Sequence, residues 1–147
     1  MKRLYIGVFL KKINHMPCCK EHERTGVAVG IGVGILSYFN KWSQERQSNI
    51  QAPCRIGELF LYVLVGAVAG KMAAIVPDVL EPATSPHHRN ICHSVTAGAA
   101  IVYGMYELGK TNVYPLAKAA LMSAGASCLA HIGEDAGTEM GVPWLCR

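Results

Sequence analysis

The chain holds only two aspartates, Asp78 and Asp135, and each flanks an apolar stretch. A carboxylate placed beside buried surface is strongly penalised unless it is paired, so each calls for a cation or for hydrogen-bond donors. His131 stands four residues before Asp135. On a helix that spacing puts both side chains on one face, within reach of a shared ion. The segment SPHHRNICHS adds His87, His88 and His93 between Pro86 and a further apolar stretch. Imidazole is the commonest neutral metal ligand, and a loop running into a helix can converge two of them on one point. Taken singly, each residue has a plainer reading: Asp78 capping a turn, Asp135 pairing with an arginine, His131 bonded to a backbone carbonyl in a core. Taken together, Asp78, His88, His93, His131 and Asp135 supply three nitrogen and two oxygen donors. That set suits Zn2+ and is acceptable to Mn2+ or Fe2+. A divalent ion so held lowers the pKa of its water and polarises a phosphoryl or carbonyl oxygen, which is sufficient machinery for hydrolysis. Five donors leave room for two ions. Asp78 or Glu81 is then the candidate base that orients the attacking water, and Arg89 the candidate cation for a phosphate oxygen. Arg89 reads equally well as a surface charge.

Four helices are expected to position these groups. VAVGIGVGILSYF, residues 27–39, reads as a helix rather than a buried strand, because Gly26, Gly30 and Gly34 recur on one helical face. Such a face admits a second helix at close range and invites homo-oligomer formation through helix pairing. Residues 40–57 are polar and end in proline and glycine signals, so they read as a linker. The next helix runs from about Glu58 to Val76, long enough to cross a bilayer, with Lys71 able to snorkel. A buried helix of a soluble bundle satisfies the same pattern. Pro77 is expected to stop it, presenting Asp78 at the helix end. A third helix is expected from near His93 to Leu108 with Gly109 as its stop. A fourth follows from Pro115, suited to a first turn, to about Asp135. The expected fold is an all-α, compact bundle of about four apolar helices at or in a membrane. Residues 1–25 are a polar basic lead-in, and residues 26–147 form the one helical domain that a chain of 147 residues supports.

Composition agrees with a membrane setting: 51% of residues are hydrophobic and 16% charged, more apolar than usual soluble domains. The net charge of +4 comes from lysines and arginines concentrated before residue 56. They are scattered and not interleaved with aromatics, so no specific nucleic acid is expected as a partner. The six cysteines include no C-x-x-C pair and do not read as a disulfide framework. The start, MKRLYIGVFLKK, has too short an apolar stretch for a cleaved signal, because Lys11 and Lys12 close it.

The three segments IVPDVLEP, HHRNICHS and LAHIGEDAGTEMGVPWLCR resemble, in order and spacing, the motifs PDxD, HRGxTHS and SHxxxDxxTxxGVPLLWP of the YdjM-type, LexA-regulated inner-membrane metal-dependent hydrolases. The resemblance covers residues 26–147. It implies a helical membrane protein related in plan to zinc-dependent phospholipases C and single-strand nucleases, with membrane lipid as partner and a phosphoester as substrate. By position it places the ligands on Asp78, His88, His93, His131 and Asp135, and a turn at Gly141, Val142 and Pro143. The second carboxylate of PDxD falls on Leu80, beside Glu81. A histidine usual at the start of the first helix falls near Gly26, with His22 and His15 upstream. The glycine after HR is Asn90, and the threonine before HS is Cys92. The alternative reading is a small non-catalytic membrane helical protein whose His/Asp cluster binds a metal structurally or satisfies buried polar groups. Structural zinc sites are closed and cysteine-rich, whereas this set is cysteine-poor and carboxylate-bearing.

Overall fold

In the computed structural model, which describes residues 18–82, 91–137 and 142–143, the apolar stretches become four α-helices, with no strand among the described residues. They are α1 (Cys18–Ser48), α2 (Ile56–Leu80), α3 (Val95–Lys110) and α4 (Pro115–Ala136). The all-α bundle expected from the periodicity is the fold adopted. α1, α2 and α4 pack on one another, and α3 packs on α4.

One interval governs how the three inner helices meet. α1 buries His22, Gly26, Gly30, Gly34 and Tyr38. α2 buries Tyr62, Gly66, Gly70 and Ala74, with partly buried Asp78 next in line. α4 buries Ala119, Ser123, Ser127, His131 and Asp135. Each series steps by four residues and so follows a single ridge of its helix. The small residues in the middle let backbones touch. A β-carbon at Gly30 would collide with the Gly66 carbonyl oxygen, and one at Gly66 with that of Gly30. The glycine face expected to invite a second copy is therefore covered by α2 of the same chain. α4 approaches α1 closely enough for the Ser127 and Ser123 hydroxyls to donate to the carbonyls of Gly26 and Gly30, at 3.1 and 3.4 Å.

The two ends of these ridges differ in chemistry. At one end Tyr38, Tyr62 and Ala119 form a cluster with Trp42, Leu59 and Leu116. Lys41 lies close by, bridging Glu45 and Glu58 at 2.6 and 2.7 Å, and those two hydrogen bonds hold its ammonium well above the ordinary lysine pKa. At the other end stand His22, Asp78, His131 and Asp135. α1 thus runs opposite to α2 and α4, bringing its first turns to their last.

The outside is apolar where the inside is small or polar. No leucine, valine, phenylalanine or methionine is buried among the described residues, while Phe60, Leu64, Val68, Met72 and Val79 of α2 lie exposed. α2 and α4 are long and apolar enough to cross a membrane by length and composition. Lys71, inside α2, is exposed and pairs with Glu23 of α1 at 3.4 Å.

Several boundaries differ from those read off hydrophobicity. α1 begins at Cys18, inside the stretch read as lead-in, and runs on to Ser48, so the linker shrinks to residues 49–55. The polar flanks KEHERT and NKWSQERQS hold good helix formers, and their i,i+4 pair Lys41–Glu45 supports the last turns. α2 does not stop at Pro77 but continues to Leu80, so Asp78 sits within its last turn. Proline leaves the carbonyl four residues back without its helical donor. Here that carbonyl, of Ala73, accepts the Cys128 thiol of α4 at 3.2 Å. α3 starts at Val95, two residues after His93, because Ser94 caps it by accepting from the Ala97 amide at 3.1 Å. It runs past Gly109 to Lys110.

Candidate metal centre

Asp78 reaches the site from the last turn of α2, His93 from the residue before the α3 cap, and His131 with Asp135 from successive turns of α4. His93, His131 and Asp135 are almost wholly buried, at 0%, 1% and 2% exposure. The Asp78 side chain keeps 25% exposure and forms the open rim.

Four donor atoms converge. His93 Nε2 lies 3.1 Å from His131 Nε2, 3.3 Å from Asp78 Oδ1 and 3.4 Å from Asp135 Oδ2. His131 Nε2 lies 3.6 Å from Asp78 Oδ1 and 3.4 Å from Asp135 Oδ2. Bonds of about 2.0–2.2 Å to a tetrahedral ion place neighbouring donors about 3.3–3.6 Å apart. Four of the five measured edges fall on that span, with the His93–His131 edge slightly shorter, and two overlapping groups, His93 with His131 and Asp135 and His22 with Asp78 and His131, could each hold a metal ion.

The proton inventory points the same way. Glu81 Oε2 lies 3.1 Å from His93 Nδ1, and a carboxylate can only accept, so Nδ1 carries the hydrogen. A neutral His93 then turns its Nε2 lone pair toward two carboxylate oxygens and a second imidazole. That assembly is repulsive unless a proton or a metal ion sits at its centre. In the metal-free chain, burial opposes a charged imidazole, yet the hydrogen bonds to Asp78 and Glu81 and the charge of Asp135 outweigh it and raise the His93 pKa. His131 Nδ1 is buried without a hydrogen-bond partner, so this ring makes its polar contacts through Nε2.

Glu81, read from sequence as a candidate base, has both oxygens engaged. Oε1 accepts from the Ile91 amide at 2.6 Å, and Oε2 accepts from the Cys92 amide at 3.0 Å as well as from His93. It therefore holds the chain entering α3 and orients the His93 ring, the role an outer-shell carboxylate plays behind a metal-bound histidine. The carbonyl of Pro143, beyond α4, accepts from the Val95 amide at 3.0 Å and closes the same corner. His88 and Arg89 lie outside the described residues, as do His87, His15 and Gly141.

Two residues join the site that the motif reading did not assign to it. His22 of α1 is buried, and its ring lies 4.0 Å, centroid to centroid, from that of His131. Its Nδ1 is hydrogen-bonded to Glu134 Oε2, and Thr25 Oγ1 donates to Glu134 Oε1. Glu134 thus stands behind His22 as Glu81 stands behind His93. A signal for His22 was present: the four-residue period of Gly34, Gly30 and Gly26, carried one step back, lands on residue 22. Cys128, three residues before His131 on α4, keeps a free thiol.

Comparison with family models, with curated proteins and with solved structures found no match to this chain.

Proposed function

We propose that this chain is a membrane-associated, metal-dependent hydrolase acting on a phosphoester, with a phospholipid as the substrate class, and that it belongs with the YdjM-type hydrolases whose motifs it resembles. The observation that carries the reading is the meeting of His93 Nε2 and His131 Nε2, 3.1 Å apart, with Asp78 Oδ1 and Asp135 Oδ2 each 3.3–3.6 Å from both rings. These four residues would hold the ion, and two nitrogen with two oxygen donors favour Zn2+, with Mn2+ and Fe2+ as alternatives. When bound, a divalent ion supplies Lewis acidity toward a phosphoryl oxygen and lowers the pKa of water.

The chain's own residues supply the rest. Glu81 fixes the tautomer and tilt of His93, so that its Nε2 lone pair faces the centre. Asp78, the one partly exposed member, would accept the proton of the attacking water at a carboxylate oxygen. Arg89 is the proposed partner for the phosphoryl oxygens. The buried walls formed by His131 and Asp135 exclude bulk water from the far side.

The membrane setting rests on the distribution of side chains. Small and polar residues inside with leucine, valine and phenylalanine outside is the arrangement expected when lipid replaces water around a bundle. From Glu58 to Asp78 along α2 is about 30 Å, the thickness of a bilayer's hydrocarbon core. The Lys41–Glu58 pair would then mark one boundary and the metal centre the other. The centre would then lie at the depth of lipid phosphates.

The test is metal analysis of the purified chain, with and without His131→Ala, joined to hydrolysis of a simple phosphodiester and of phosphatidylcholine vesicles. The reading expects bound metal and ester hydrolysis in the wild type and loss of both in the variant. Bound metal with no hydrolysis of any ester would instead favour the non-catalytic helical protein with a structural metal.

A further inference from the structure

Outside the metal centre, the flank of α1 beside α2 forms a groove of about 390 Å3, lined by Glu23, Arg24, Val27, Ala28 and Ile31 of α1 and by Lys71 of α2. Arg24, Val27, Ala28 and Ile31 step by three and four residues, so they form a stripe of α1 distinct from the one that packs inward. The groove is polarised along its length. Its charged end, Glu23 with Arg24 and Lys71, lies toward the metal centre, because Glu23 follows His22 and Lys71 stands two turns, about 10 Å, before Asp78 on the same side of α2. Its apolar end, Val27, Ala28 and Ile31, runs toward the middle of the bundle.

Charge does not cancel at the polar end. Lys71 is exposed on an apolar helix and pairs with Glu23 at 3.4 Å. Arg24, exposed and in no ion pair among the described residues, is then the surplus cation. A charge at this depth is costly in hydrocarbon unless it reaches the interface or meets a counter-ion. A small soluble anion would meet the charge but leave the apolar floor uncovered. A phospholipid covers both, since a guanidinium matches phosphate oxygens in pairs and basic pockets between membrane helices take lipid head groups. A site with one surplus positive charge favours an anionic lipid, because a zwitterionic head group brings a cation of its own.

We propose that this groove holds one anionic phospholipid, its phosphate between Arg24 and Lys71 and an acyl chain along Val27, Ala28 and Ile31. This rests on the membrane setting of the proposed function and on none of its chemistry. Charge near the metal centre and apolar surface further in is the order of groups in a lipid standing in the leaflet that meets the centre.

The experiment adds phosphatidylglycerol or phosphatidylcholine to the delipidated full chain in a non-ionic detergent and counts lipid adducts by native mass spectrometry. The zinc content of each sample is measured alongside. The expected result is one phosphatidylglycerol per chain, taken in preference to phosphatidylcholine. Arg24→Gln and Lys71→Gln should each weaken it about fivefold, the worth of one basic residue to an anionic lipid. Ala28→Trp fills the floor of the groove and should remove the adduct. Arg24, Ala28 and Lys71 are all exposed, so these changes leave the helix contacts in place. Equal uptake of the two lipids, or uptake of phosphatidylglycerol unchanged in both charge variants, would overturn the site and leave only unspecific boundary lipid. A dimer that Ala28→Trp abolishes would assign the groove to a second copy of the chain and overturn it as well. A wild-type chain that stays monodisperse in buffer without detergent would sink the membrane setting, and this inference with it. Missing zinc or missing ester hydrolysis would instead sink the catalytic reading and leave the lipid result standing.

Discussion

The Nε2 atoms of His93 and His131 lie 3.1 Å apart inside the bundle. Two imidazoles brought nose to nose, with a carboxylate oxygen on either side, need a hydrogen or a metal ion between them.

Stability should therefore depend on pH in opposite senses with and without metal. The raised pKa of His93 in the metal-free chain means that the folded state binds the proton more tightly than the unfolded chain. The resulting stabilisation is fully present below the unfolded histidine value, about pH 6.5, and is lost as pH rises through the higher folded value. Melting of EDTA-treated protein should show a temperature that falls between pH 6 and pH 9. With Zn2+ present the trend reverses, because protons compete with the ion for the same nitrogens. A metal-free melting temperature that climbs across this interval would refute the assignment.

Glu81 bears on the centre through His93 Nδ1, so its effect should appear in affinity. Glu81→Gln keeps the shape but weakens the anchor at His93 Nδ1 and the Ile91 and Cys92 amides. Loss of an outer-shell partner costs about 10–100-fold in metal affinity. Competition against a chromogenic chelator measures it. Unchanged affinity would remove Glu81 from the positioning role.

Cys128 is expected to matter through the hydrogen its thiol carries. It serves the Ala73 carbonyl that Pro77 deprives of a helical donor, one residue before Asp78. Cys128→Ala leaves that buried acceptor unmet, at about 1–3 kcal/mol. Cys128→Ser restores a donor and should recover most of the loss. Thermal melts of the two variants side by side distinguish the hydrogen bond from mere packing, since packing alone would rank serine no better than alanine.

The helix contact at the centre of α1 makes the sharpest steric prediction. Gly30→Ala drives a methyl into the Gly66 carbonyl, whereas Gly32→Ala meets nothing within 4 Å. The first should destabilise by about 1–3 kcal/mol or more, as overpacking does. The second should be neutral or gain up to about 1 kcal/mol from helix propensity. Equal melting temperatures for both would contradict the α1–α2 interface.

Much of this architecture was legible in the chain itself, because it rests on periodicity and on scarcity. The four-residue step of Gly26, Gly30 and Gly34, the apolar stretches, and Pro115 at a helix start specify helices and a close approach whatever their partners. His131 and Asp135 share a face by helix geometry alone, and two aspartates in an apolar chain mark their own importance. His93, His131 and Asp135 do come together in one buried group, and Asp78 meets His131 and His22 in a second. What periodicity could not convey was which surfaces meet, since a glycine face accepts any close partner and tertiary packing gave it to α2 of the same chain. Nor could hydrophobicity place the helix ends: polar turns of α1 and the passage through Pro77 hold because Lys41–Glu45 and Cys128 satisfy groups that local rules leave open. His22 entered the site for the same reason. Its distance in sequence from Asp135 has no meaning until α1 runs antiparallel to α4, and only then does a fourth turn of small residues bring an imidazole to a carboxylate.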